Sequence, residues 1–288
     1  MNGYIDALIY VVLTAVSFVF LNQLISEIDP WVALVVMSGY ALVLFNALNF
    51  RCLVDSYQAI VREKLIWIAM VLLLAIDWIS MVFASFYSDP FVAMAALFIA
   101  TAVIGFLRLY LVQRKIIYLL SAGLLVMVIG LMLVGYSTHA GKSLITGISL
   151  GIAAGVAFYG YIASSAALAV RQNLSSLAVL ATRFWGVFLI AVVVVKWELI
   201  LALNIRQYLQ LLVVSLGALV IPVYFNQQAI VKLGAELTAV FISLVPPLTY
   251  LIYIIYLGHF NLLNGIICAS ITVALLLPKL LLLINNRR

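Results

Sequence analysis

Residues 116–136 read IIYLLSAGLLVMVIGLMLVGY, a run of 21 residues without a single charge. A helix that crosses a bilayer needs about 20 mostly apolar residues. Strands of a membrane barrel would instead alternate apolar and polar positions, and the run from Leu119 to Leu133 does not alternate. The run therefore predicts a transmembrane helix. Working outward, comparable runs fill the chain, with charged and turn residues between them. The predicted spans are 3–25, 30–50, 64–87, 89–112, 116–136, 144–169, 175–197, 207–230, 234–257 and 261–283. Asp29-Pro30 and Asp89-Pro90 each place a Pro in a first helical turn behind a capping Asp. Gly234 and Gly258-His259 sit where a chain turns. The expected fold class is an all-α polytopic membrane protein of ten transmembrane helices.

Composition agrees. Of 288 residues, 68% are hydrophobic and 8% charged, against about 45–50% and 25% in soluble domains. This excludes a soluble enzyme, a nucleic-acid-binding domain and a disordered chain. The net charge of +6 reflects the Lys/Arg excess of cytoplasmic loops. Ten Lys and Arg fall on one set of connections and the C-terminal tail, Arg287 and Arg288 included. Only Lys142, Lys196 and Arg206 fall on the other set. That bias predicts cytoplasmic N- and C-termini in a bacterial inner membrane. Trp31, Trp67 and Trp197 stand at predicted helix ends, as interfacial anchors do. The first run is long and lacks a basic leader, so it is expected to be a retained helix. Cys52 and Cys268 show no metal or disulfide spacing and are expected to be small buried residues.

The chain divides near 140 into two five-helix halves, 1–138 and 139–288. Five is odd, so the second half enters the membrane in the opposite sense. Many secondary transporters share this inverted-repeat plan, with their site near the midplane. Ser88-Asp89-Pro90-Phe91-Val92-Ala93 in the first half weakly matches Gly234-Ala235-Glu236-Leu237-Thr238-Ala239 in the second, with Ala93 and Ala239 in equivalent places and the acids one position apart. Ser17-Phe18 and Ala157-Phe158 give a weaker echo.

Tyr224-Phe225-Asn226-Gln227-Gln228-Ala229, Gly234-Ala235-Glu236, Leu244-Val245-Pro246-Pro247 and Leu257-Gly258 follow one another along 224–258. This succession resembles the drug/metabolite transporter superfamily in its ten-helix EamA-type branch. Arg183-Phe184 is similar to that family's Arg-Phe pair. His259 replaces the family's Glu, and Gly39-Tyr40 stands where an Arg-aromatic pair is expected. The resemblance implies two inverted five-helix repeats, export of amino acids or related metabolites, and an Arg183 that flanks a central cavity.

Asp77 lies thirteen positions into the 64–87 span. A charge at mid-membrane costs about 2.5–3.5 kcal/mol on insertion scales, so such residues face a cavity or a partner. Asp77 fits a proton carrier, a ligand for a substrate amine, or an interior carboxyl that fixes packing. Arg183 is about 12 Å deep and Asp77 about 7 Å deeper, so the two are close enough to pair. Arg183 otherwise snorkels to the interface, as Arg108 is expected to do. Trp78 and Trp185 are at mid-membrane, and aromatic faces bind cations and flat apolar groups. With Tyr159, Tyr224 and Tyr250, and with Tyr110, Tyr161 and Tyr253, they make up the aromatic set for a lined cavity. Asn226, Gln227 and Gln228, near the inner end of their helix, are expected to cap helix ends at the interface or else to hydrogen-bond a substrate. Gly147, Gly151 and Gly155 form a stripe for close helix packing. Pro246-Pro247 interrupts its helix near the middle, as a hinge or as a kink.

His139 and His259 fall at outer turns, and no metal cluster or phosphate-binding loop is present in the sequence. The expectation is a non-enzymatic secondary transporter without cofactor, working by alternating access on a small organic solute. Amino-acid or amine export is expected first. Import or exchange of a quaternary amine or nucleoside-like metabolite, flipping of a lipid-linked sugar, and a non-transporting membrane scaffold, which would not need the mid-membrane Asp77, are the alternatives. The expected partners are the solute and the lipid bilayer, with no nucleic acid, in a monomer or homodimer.

Overall fold

The computed structural model describes residues 2–25, 28–137, 142–258 and 260–285. His139, His259, Arg287 and Arg288 lie outside the described residues. Every regular element among the described residues is helical. The elements are α1 (Gly3–Ile25), α2 (Pro30–Leu48), a 3-10 turn (Phe50–Cys52), α3 (Leu53–Arg62), α4 (Lys64–Tyr87), α5 (Pro90–Gln113), α6 (Ile116–Ser137), α7 (Lys142–Gln172), α8 (Ser176–Arg183), α9 (Trp185–Val194), α10 (Trp197–Leu201), α11 (Ile205–Val214), a π-helical turn (Ser215–Val220), α12 (Ile221–Leu233), α13 (Ala235–Ile242), α14 (Val245–Leu257) and α15 (Leu262–Asn285).

Among the described residues, nine helical segments are long and apolar enough to cross a membrane, and α1 adds a shorter apolar stretch, Gly3–Phe18. The outer surface is apolar as well: Val193 and Ile255 are each 84% exposed and Leu201 82%. Soluble monomers rarely expose so many large apolar side chains. The protein is therefore an all-α polytopic membrane protein.

The predicted caps form. The Asp29 carboxylate accepts from the Trp31 and Val32 amides, and that of Asp89 from the Phe91 amide. Gly234 adopts φ +82° in the tight turn between α12 and α13, a conformation that costs a residue without Cβ little. The glycine stripe packs α7 directly on α5. A Cβ on Gly151 would lie 2.7 Å from the Ala93 carbonyl oxygen, and one on Gly155 would overlap that of Leu97. Thr101 Oγ1 donates across the seam to the Gly155 carbonyl at 3.1 Å.

Four features stand out against the predicted spans, and one of them, the break before Pro246-Pro247, is the expected one. The connection 51–63 is not a plain loop, because it folds as α3. Cys52 at its start is exposed, unlike the buried Cys268. The other three are interruptions inside spans, two of them not expected from the sequence. Between α8 and α9 the helix breaks at Phe184 without Pro or Gly. Here side chains take up backbone carbonyls: Asn46 Nδ2 donates to Ala181 O at 2.9 Å and Trp67 Nε1 to Thr182 O at 3.1 Å. Insertion of side chains into the ladder is a recognised cause of kinks. At the π turn Ser215–Val220, Ser17 Oγ likewise donates to a freed carbonyl, Gly217 O, at 2.6 Å, while Ser215 Oγ ties the turn to α2 by donating to Met37 O at 3.0 Å. The third break, at Ser243-Leu244, precedes Pro246-Pro247, which occupy the first turn of α14. Neither Pro has an N–H to continue the ladder.

Candidate functional site

A cavity of ≈ 60 Å³ lies among α1, α4, α5, α7, α8 and α12, with the π turn completing its wall. α1 contributes Tyr10, Thr14, Ser17 and Phe18. α4 contributes Asp77, Trp78 and Ser85 with apolar neighbours. Phe98 comes from α5, Phe158 and Tyr161 from α7, Arg183 from α8, Ala218 from the π turn, and Val223 and Asn226 from α12. Helical periodicity explains the grouping. Positions 10, 14 and 17 follow i, i+4, i+7, which is one helix face.

Asp77 is 5% exposed and Arg183 1%, and both line this space. No hydrogen bond or ion pair joins Asp77 to Arg183 among the described residues. The Arg183 guanidinium lies instead over the rings of Phe184 (4.7 Å) and Tyr161 (5.1 Å). Its Nη1 donates to the Tyr161 hydroxyl. Arg183 thus does not snorkel, because two π faces and a hydroxyl hold it inside the bundle. The pairing expected from depth alone is not formed.

Several buried polar atoms here have no hydrogen-bond partner among the described residues: Arg183 Nε, both amide atoms of Asn226, and Gln227 Nε2. Leaving such an atom unsatisfied costs about 1–3 kcal/mol. Asn226 and Gln227 were expected at the interface, but they are 1% and 0% exposed in the interior. The side-chain carbonyl of Gln227 accepts from Ser165 Oγ at 2.7 Å and from the Tyr161 hydroxyl at 3.4 Å. One turn beyond Tyr10, Asp6 accepts from Lys232 Nζ at 2.6 Å, which closes the α1–α12 seam beside the cavity.

The other candidates stand apart from this site. Trp185 faces an outer groove with Tyr40 and Phe188, and its Nε1 donates to the Tyr57 hydroxyl at 2.9 Å. Tyr159 is buried on α7 but does not line the cavity. The Tyr224 hydroxyl accepts from Gln228 Nε2 at 3.2 Å. Tyr250 exchanges hydrogen bonds with the Asn261 backbone at the start of α15. Pro246 and Pro247 are not in the cavity wall. Their break touches it indirectly, since Ser243 Oγ donates to the carbonyl of the lining Phe98 at 2.8 Å. Tyr10, Thr14, Ser17 and Phe158 were not selected from the sequence. The polar series Asp6, Tyr10, Thr14, Ser17 on one face of an apolar helix was the signal for three of them.

No family model matches the chain, and no curated protein does. A solved structure, described only as "Crystal structure of protein", is similar, with a TM-score of 0.70 over 97% of this chain and 98% of its own. Sequence identity is 15%, so the likeness is one of fold alone.

Proposed function

We propose that the protein is a secondary transporter that moves a small organic solute, amino-acid or amine-like, across a bacterial inner membrane by alternating access. It belongs in this reading to the EamA-type drug/metabolite transporters, with ten spans in two inverted repeats, 1–138 and 139–288, and both termini cytoplasmic. Export is the direction that the resemblance favours. The sequence carries no nucleotide-binding element, so an ion gradient, solute exchange or simple downhill flow drives the cycle, without cofactor or enzymatic step.

One observation carries the reading: a buried acid and a buried Arg line one cavity without pairing to each other, beside polar atoms that lack partners. A zwitterion supplies what they lack. Its ammonium meets Asp77 and the faces of Trp78 and Tyr10. Its carboxylate accepts from Arg183 Nε and Asn226 Nδ2. The small volume favours such a solute over a lipid-linked sugar. Three interrupted spans next to the cavity support a moving wall, because discontinuous helices recur at transporter binding sites.

The test is a thermal-shift screen of the purified protein against amino acids, amines and nucleosides, followed by flux in proteoliposomes. A zwitterionic solute is expected to raise Tm and to be carried. Failure of every such solute to do either counts against the reading.

The Pro pair gives a second test. Pro246→Ala with Pro247→Ala restores two backbone donors and is expected to straighten α13 into α14. Flux is expected to slow severalfold while Tm holds or rises. Wild-type flux in the double variant would make the break a static kink.

A further inference from the structure

We infer that α3 lies in the plane of the membrane, seats an apolar edge at the acyl–headgroup boundary, and takes anionic lipid headgroups on Arg51 and Arg62. The inference does not depend on the transport reading. α2 and α4 are both long enough to cross, so the segment that joins their ends lies at a membrane surface.

The distribution of side chains around α3 sets its orientation. Successive residues turn by about 100°. Ser56, Ala59 and Ile60 form one face and are buried. Val54 and Val61, about 140–160° from Ser56, are 70% and 74% exposed. Asp55 and Arg62 occupy a third face, about 100° further round, and both are exposed. One face thus meets protein, one is apolar without cover, and one is charged. A helix wholly in water has no use for the second face, and a crossing helix has no use for the third. An in-plane helix uses all three, with its apolar side about 5–10 Å into the boundary.

The end of the segment fits the same placement. Phe50 is 64% exposed, and the Arg51 guanidinium lies over its ring at 5.5 Å. Phe50 thus extends the apolar edge while Arg51 stays at headgroup height. Lys64 follows at the start of α4. Glu63 is engaged by Arg171 at 3.6 Å, and among the described residues Arg51, Arg62 and Lys64 form no ion pair. A row of cations above an apolar edge is complementary to anionic lipid. The helix is also held in place from the protein side. Ser56 Oγ donates to Cys52 O at 2.7 Å, Asn49 Nδ2 to Ser56 Oγ at 3.0 Å, and Tyr57 to Asn46 Oδ1 at 3.2 Å.

The test uses the full chain with Cys52→Ser and Cys268→Ala, one copy per nanodisc, and a bimane label on Val54→Cys, Val61→Cys or Asp55→Cys. Lipid-borne nitroxide is expected to quench positions 54 and 61, with iodide excluded, and position 55 is expected to behave in the opposite way. Replacing part of the phosphatidylcholine by phosphatidylglycerol is expected to deepen quenching at 54 and 61. Arg51→Gln with Arg62→Gln is expected to abolish that gain and to keep the phosphatidylcholine level. Iodide access at 54 and 61 equal to that at 55 would overturn the placement. It is also the result expected if a soluble protein or a second copy covers this face, since single-copy discs supply neither. No response to phosphatidylglycerol would overturn the anionic-headgroup assignment.

Discussion

Asp77→Asn is expected to abolish coupled transport while the protein stays folded. The carboxyl has no hydrogen bond or ion pair among the described residues, so the variant removes no structural contact. It also removes the possibility of a charge in a buried wall, where an unpaired charge is costly. Tm in detergent is therefore expected to hold or rise. Function is expected to fall steeply. A hydrogen bond to a charged group is worth about 1.5–3 kcal/mol, which is roughly 10- to 150-fold in affinity. Any proton carried by Asp77 is lost entirely, and the pH dependence of flux with it. Flux in proteoliposomes across pH, with Tm alongside, measures both effects. A folded Asp77→Asn protein with unchanged flux and pH profile would leave the aromatic wall, Trp78 first, as the site. A fall in Tm that Arg183→Gln restores would instead make Asp77 the structural counter-ion of Arg183, and the four-variant cycle reads that coupling.

The largest loss of stability is expected from Gly155→Leu. A Cβ there would overlap the Leu97 carbonyl oxygen and come within 2.8 Å of the Ala100 Cβ. Backbone, not a flexible side chain, blocks the space. α7 must then leave α5, and the Thr101 bond to the Gly155 carbonyl goes with it. Overpacking costs about 1–3 kcal/mol, occasionally more, and this site belongs at the upper end. α5 and α7 also carry Phe98, Phe158 and Tyr161, so cavity geometry is lost together with packing. Gly123→Leu and Gly130→Leu are the controls, because among the described residues nothing lies within 4 Å of a Cβ at either position. Loss of monodisperse protein is expected for Gly155→Leu and neither control. Equal behaviour of the three would mean that α7 does not pack on α5 through this stripe.

Helix ends were legible because their causes are local: an Asp cap before Pro at 29–30 and 89–90, and a glycine at 234. The glycine stripe was legible for the same reason, as spacing on one helix. The break at Phe184 was not legible, because its cause is Asn46 and Trp67, more than a hundred positions away in the chain. The π turn likewise depends on Ser17 reaching Gly217. Asp77 was found since a mid-membrane acid is rare whatever surrounds it. Trp78 and Trp185 look alike in sequence, but neighbours decide that Trp78 faces the cavity and Trp185 faces Tyr57. Depth placed Arg183 within reach of Asp77, whereas the rings of Tyr161 and Phe184 determine where its guanidinium goes.

The central claim is that the cavity is a solute site open to each side in turn. Ala218, in its wall on the π turn, offers a direct measurement. With Cys52→Ser and Cys268→Ala removing the native thiols, Ala218→Cys is exposed in vesicles of known orientation to a membrane-impermeant thiol reagent from one face or the other. The account predicts modification from either face, at rates that a transported solute lowers together. Modification from one face only, unaffected by solute, would contradict it.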